Sequence, residues 1–204
     1  MTKACIAIML FFGLPAPIIA FGQTGNAPKM LRFTSAHTAF PDAKRTGGHL
    51  YDSVLYTAED HYNDSTVMII IPQGLVPGKR VDMVFWFHGW RNNIDTAADF
   101  YGLTRQFCAS RKNAVLVLAE TAKNAPDSYG GKLEQPGVFK NLVTDVMTKL
   151  HEEGITRNKA RPGNIVLAGH SGAYRIIAYI LQNGQVPVRE VFLFDALYAE
   201  IDKY

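Results

Sequence analysis

The stretch IVLAGHSGAYRIIAYIL, from Ile165 to Leu181, decides how the rest of the chain is read. An apolar run ends at Gly169-His170-Ser171-Gly172-Ala173, and apolar residues then recur at helical spacing. A buried strand that turns sharply into a helix leaves one serine at the turn, with its hydroxyl exposed above the sheet. Glycines flank such a position because the turn is strained and the strand and helix backbones pass close together. Ser171 is therefore a candidate nucleophile, and a serine that merely caps the helix is the plain alternative. The amide of Gly172, at the helix start, is a candidate donor to an oxyanion.

Working outward, the same alternation recurs. Thr66–Ile71 is a β-branched apolar run ended by Pro72, and Val81–Phe87 is apolar at nearly every position, as for a strand covered on both faces. Thr96, with Asp99 three residues on, is expected to open a helix whose buried face is Ala97, Phe100, Tyr101, Leu103 and Phe107. Ala114–Ala119 is a third strand. Pro136 suits the first turn of a helix whose apolar residues run from Val138 to Leu150, with Gly154 closing it. Ile165–Ala168 is a fourth strand, Ser171–Asn183 a helix and Val188–Phe194 a fifth strand. Alternating strands and helices predict an α/β fold: a mostly parallel sheet with helices on both faces. Residues 23–62 carry weak signals and read as irregular, with one short strand near Ser53–Tyr56, so the organised domain is expected over residues 63–204.

In such a sheet function gathers at the carboxyl ends of the strands. One end carries His88-Gly89-Trp90-Arg91. A His-Gly pair there lets the backbone turn so that the Trp90 N–H points into the site as a second oxyanion donor. On this reading His88 and Gly89 support the loop and transfer no proton; an ordinary polar turn is the alternative. The segment 121–135, rich in turn formers, is expected to line a substrate cleft, with Tyr129 available for stacking or hydrogen bonding, or else to be a solvated loop.

FHGW after one strand and GHSGA after a later one resemble the α/β-hydrolase superfamily of esterases and lipases. The resemblance spans Thr66 to Tyr198, with Ala173 in place of the last glycine of G-x-S-x-G. It implies Ser171 as nucleophile and Trp90 with Gly172 as the oxyanion amides. It also implies Asp195, just past the fifth strand, as the acid that orients a histidine, although a capping or turn aspartate fits that position equally well.

A serine hydroxyl needs a base to remove its proton. The superfamily order is serine, acid, histidine, yet the six histidines, at positions 37, 49, 61, 88, 151 and 170, all precede Ser171. His170 adjoins it but should point away. The expectation is that the C-terminal strands and the histidine belong to a longer protein of which this chain is a part. The leading reading is an exported serine hydrolase that cleaves carboxylic esters through a Ser171 acyl-enzyme, weak or inactive as this fragment. An amidase or peptidase with the same machinery, or a non-catalytic binding domain of the same shape, are the alternatives.

Composition narrows the partners. Of 204 residues, 48% are hydrophobic and 19% charged, with net charge +3 and no block of like charge. That argues against nucleic acid and leaves a small ester or acyl molecule as the expected partner. Lys3, the apolar run Ile6–Leu14 and Ala20-Phe21-Gly22 read as a cleaved secretory signal over residues 1–22 and predict a secreted or periplasmic protein. The apolar run is too short for stable membrane insertion. With Cys5 in that leader, Cys108 is alone and reads as buried filler. No histidine pair at ligand spacing and no phosphate-binding loop suggests a metal or nucleotide, so neither metal nor cofactor is expected.

Overall fold

The computed structural model of the chain describes residues 27–157 and 159–204, and the expected leader at 1–22 lies outside the described residues. Among the described residues there are eight strands: β1 (Lys29–Thr34), β2 (His49–Tyr51), β3 (Val54–Tyr56), β4 (Thr66–Ile71), β5 (Arg80–Phe87), β6 (Ala114–Ala119), β7 (Arg161–His170) and β8 (Val188–Phe194). Six of them form one sheet in the order β1-β4-β6-β5-β7-β8, and β2 and β3 form a separate hairpin. β6, β5, β7 and β8 run parallel, whereas β1 and β4 are antiparallel to their neighbours. The fold is thus α/β with a mostly parallel sheet.

Side-chain alternation divides the core into two layers. Val67, Ile69, Met83, Phe85, Val115 and Val117 point to one face, where α4 (Val138–Glu152) and α5 (Tyr174–Asn183) cover them with Phe139, Leu142, Val146, Ile176 and Ile180. Met68, Ile70, Trp86, Leu116 and Leu118 point to the other, beneath α2 (Ile94–Phe100) and α3 (Leu103–Ala109). Strands that are apolar at every position, such as β6, are explained by this double cover: all six of its residues are buried. β8 is different. Val191 and Leu193 pack inward on the α4–α5 face, but Phe192 and Phe194 lie about half exposed at the sheet edge.

Four local expectations are corrected. The segment before residue 63 is not irregular: β1 pairs along its whole length with β4, the β2–β3 hairpin turns through Asp52 and Ser53 at positive φ, and a one-turn α1 (Ala58–His61) follows. Asn93, not Thr96, caps α2, its side chain accepting from the Thr96 amide. Gly102 in the left-handed conformation breaks the expected single helix into α2 and α3, which turns Phe100 out to solvent at 78% exposure. Pro136 precedes α4 rather than opening it; Gly137, also left-handed, stands at the N-cap.

Candidate active site

β7 runs straight into the turn that holds Ser171. The serine has φ 52°, in the left-handed region, and a short 3-10 turn, Ser171–Ala173, leads into α5. A non-glycine residue held there costs on the order of 1–3 kcal/mol, so the surrounding packing must over-determine it. Two close approaches do this. A Cβ on Gly89 would stand 2.8 Å from the His170 carbonyl oxygen and 2.9 Å from Ser171 Cβ. One on Gly172 would meet Trp90 Cδ1 at 2.5 Å and Ser128 Oγ at 3.0 Å. Only glycine at both positions lets the 88–91 loop lie directly on the Ser171 turn, so Gly89, Trp90, Ser171 and Gly172 form one cluster.

The loop is held from beneath. His88 is buried; its Nδ1–H donates to the Gly89 carbonyl at 2.7 Å, and Nε2 meets Glu120 Oε1 at 2.6 Å and Thr121 Oγ1 at 2.7 Å. Glu120, buried at the end of β6, also accepts from the Thr121 and Ile94 amides. Both His88 nitrogens are thus engaged away from Ser171, and the ring acts as a strut for the loop. From the other side, the 122–130 loop is tied on by Arg91 N–H to the Ala125 carbonyl, 2.9 Å, and Asn124 N–H to the Asn92 carbonyl, 2.7 Å.

The other histidines are likewise engaged elsewhere. His170 Nδ1 bonds the Tyr101 hydroxyl at 3.0 Å, His37 Nδ1 meets Asp145 at 2.8 Å and His61 Nδ1 meets the Lys123 carbonyl at 2.8 Å. His49 lies on the β2–β3 hairpin and His151 at the end of α4. No histidine hydrogen-bonds Ser171 among the described residues.

Asp195 follows β8 at once, exposed and with φ 46°. Tyr198 lies three residues further on, exposed; the Asp195 carboxylate raises its phenol above the ordinary value of 10, with Ser171 pulling the other way. Tyr129 needs a correction as a cleft residue. It is 7% exposed, packs edge-on against Phe40, and donates its hydroxyl to Asp42 at 3.0 Å, with Arg45 4.8 Å above its ring. Burial, then the Asp42 carboxylate, push its pKa up, so it remains a neutral structural phenol. Its neighbour Ser128 is the loop residue that reaches the site, where its Oγ accepts from Trp90 Nε1 at 2.7 Å.

Trp90 is 43% exposed, with Tyr51 of the hairpin edge-on to it at 5.3 Å. Two cavities, of about 490 and 520 Å³, lie around Asp99 and around Pro162, and Ser171 lines neither. Cys108 is half-buried, and burial pushes its thiol up, away from nucleophilic character. The described residues contain no group of three or more metal-ligating side chains, and no helix among them is long and apolar enough to cross a membrane.

Sequence reasoning missed Glu120, Ser128, Tyr198 and Tyr51. Glu120 carried a usable signal, an acid directly after a wholly apolar strand. Ser128 is one of several turn formers in its loop and carried none.

No protein-family model matches the chain, and no curated protein matches it. Among solved structures it is similar to FphF, a fluorophosphonate-binding serine hydrolase of Staphylococcus aureus, at 12% identity and TM-score 0.39, covering 77% of this chain and 53% of that one. It is similar to an S-formylglutathione hydrolase from Agrobacterium tumefaciens at 11% identity and TM-score 0.46, covering 83% and 58%. LpqC, a poly(3-hydroxybutyrate) depolymerase from Bordetella parapertussis, gives 13% identity and TM-score 0.43, covering 81% and 50%. The chain spans between half and three-fifths of the length of these structures.

Proposed function

We propose that this chain carries the nucleophile side of a serine-hydrolase site acting on carboxylic esters. In this reading Ser171 attacks the carbonyl carbon, and the carbonyl oxygen, as it takes up negative charge, is received by the Trp90 and Gly172 amides. Asp195 is the acid that orients the base. One observation carries the reading: Ser171 is held at positive φ on a sharp strand-to-helix turn, with the glycine loop of another strand pressed against it. A serine that only capped α5 would need neither the strain nor the loop, and the residue at the N-cap of α5 is Ala173, not Ser171.

The base is the open part of the site. All six histidines lie among the described residues, and none of them hydrogen-bonds the Ser171 hydroxyl. We therefore propose that the imidazole comes from polypeptide other than these 204 residues, and that the chain alone is a slow catalyst. Loss of one member of a catalytic triad costs on the order of 10⁴-fold in rate or more, while oxyanion stabilisation survives. The same observation favours, as the second reading, a binding domain with the cleft of a hydrolase and no turnover.

Hydrolysis of a nitrophenyl ester by the purified chain, with and without Ser171→Ala, tests both parts. The expected result is slow hydrolysis lost in the variant. Ordinary enzyme rates lost in the variant would overturn the external base, and a rate indifferent to the substitution would overturn the nucleophile. Export belongs to the same proposal: the mature protein should begin at Gln23, which N-terminal mass spectrometry checks.

A further inference from the structure

The Ser128 hydroxyl has a use that the Ser171 turn and the two amides do not supply. Its Oγ accepts the Trp90 indole N–H at 2.7 Å, and it stands 3.0 Å from where a Gly172 side chain would begin. Its own proton has no acceptor among the hydrogen bonds of the described residues. A hydroxyl has one proton and two lone pairs; with a lone pair taken by Trp90, the O–H remains to be given.

Its position is fixed. Asp127, next to it, accepts from the Tyr129 amide at 2.8 Å and pairs with Arg45 Nε at 2.7 Å, and its side chain is 6% exposed. Two backbone hydrogen bonds tie the same loop to the 88–93 loop. Trp90, through its ring against Gly172 and its N–H on Ser128, couples the hydroxyl to the turn that carries Ser171. This is a preorganised donor beside the place where negative charge would develop, and so does no reorganising when charge appears.

We propose that Ser128 is a substrate-positioning residue that donates a third hydrogen bond to a tetrahedral oxyanion bound at the Ser171 turn, with Trp90 setting the direction of that bond. The inference rests on the reading of this turn as an acyl-transfer site. It adds a side-chain donor to the two backbone amides that receive the same oxyanion.

Phenylphosphonate, a stable tetrahedral oxyanion, is the probe, and binding by titration calorimetry is the readout, so turnover is not needed. The wild-type chain and Ser171→Ala should both bind it. Ser128→Ala should weaken binding about 10- to 100-fold, the usual size of a hydrogen bond to a charged group, without lowering the thermal midpoint. Ser128→Thr, which keeps the hydroxyl, should recover most of the loss. Absence of binding to the wild-type chain, unchanged binding to Ser128→Ala, or failure of Ser128→Thr to recover affinity would each overturn the inference. Covalent modification of Ser171 is scored separately: binding that depends on Ser128 in a chain whose Ser171 never reacts would sink the nucleophile and leave the Ser128 donor standing.

Discussion

Glu120→Ala removes the strut beneath the 88–91 loop. In the native chain Glu120 Oε1 meets His88 Nε2 at 2.6 Å and the Thr121 amide at 3.1 Å, and Oε2 takes the Ile94 amide at 3.3 Å. The two side chains are 1% and 2% exposed, so water does not replace what the substitution deletes. Breaking a buried pair from one side costs about 3–5 kcal/mol, because the partner stays buried without its counterpart. With a urea slope of about 2 kcal/mol/M, that is a fall in the unfolding midpoint of about 2 M. Total stability is typically only about 5–15 kcal/mol, so the alanine variant stands close to unfolding. Glu120→Gln keeps the shape and one acceptor and should lose only about 1–3 kcal/mol. Urea unfolding followed by tryptophan fluorescence reads all of this. The double variant His88→Ala/Glu120→Ala should cost less than the sum of the singles, since residues in contact couple by about 0.5–3 kcal/mol. A midpoint within about 0.5 M of wild type for Glu120→Ala, or strict additivity, would refute the strut.

Two further predictions address the site itself. Gly89→Ala must open the 2.8 Å approach to the His170 carbonyl to at least 3.4 Å, a shift of about 0.6 Å between two backbones, and should slow reaction at Ser171 by about 10- to 100-fold. Gly47→Ala, with nothing within 4 Å and no positive φ, is the matched control and should change nothing measurable. Tyr198 should titrate above 10 in the folded chain because Asp195 holds its phenol neutral. A raised folded pKa makes its small contribution to stability fully present below the ordinary value and lost as pH rises through the folded one. Asp195→Asn should return the phenolate absorbance transition towards 10, and an unmoved transition would separate Asp195 from the site.

Much of the sheet was legible because burial on both faces writes itself as unbroken apolar runs: β4, β5, β6 and the second half of β7 were readable in that way, and β8 was readable from an apolar run although Phe192 and Phe194 are half exposed. β1 was not. Lys29-Met-Leu-Arg-Phe-Thr34 is an edge strand with one buried residue, so it lacks the apolar run that marked the others. The α2–α3 break was missed because helical periodicity continues across Gly102, and only its left-handed backbone reveals the stop. At the site, the residues fixed by local geometry were legible: a serine between small residues after a strand, and a histidine-glycine pair after another. Those recruited through tertiary contact were not. Ser128 acquires its place from Trp90 and Gly172, which lie 38 and 44 residues away in sequence, and nothing in its own neighbourhood distinguishes it. Tyr129 failed as a cleft residue for the converse reason, since its loop folds it beneath Arg45 and onto Asp42.

On the proposed function, Ser171 is a nucleophile held ready at its turn. Incubating the purified chain with a fluorophosphonate and mapping the adduct by peptide mass spectrometry tests it most directly. The expected result is a single phosphonylated residue, Ser171, formed slowly, accelerated by added imidazole as a substitute base, and absent from Ser171→Ala. No adduct at Ser171 even with imidazole, or equal labelling of several surface serines, would contradict it.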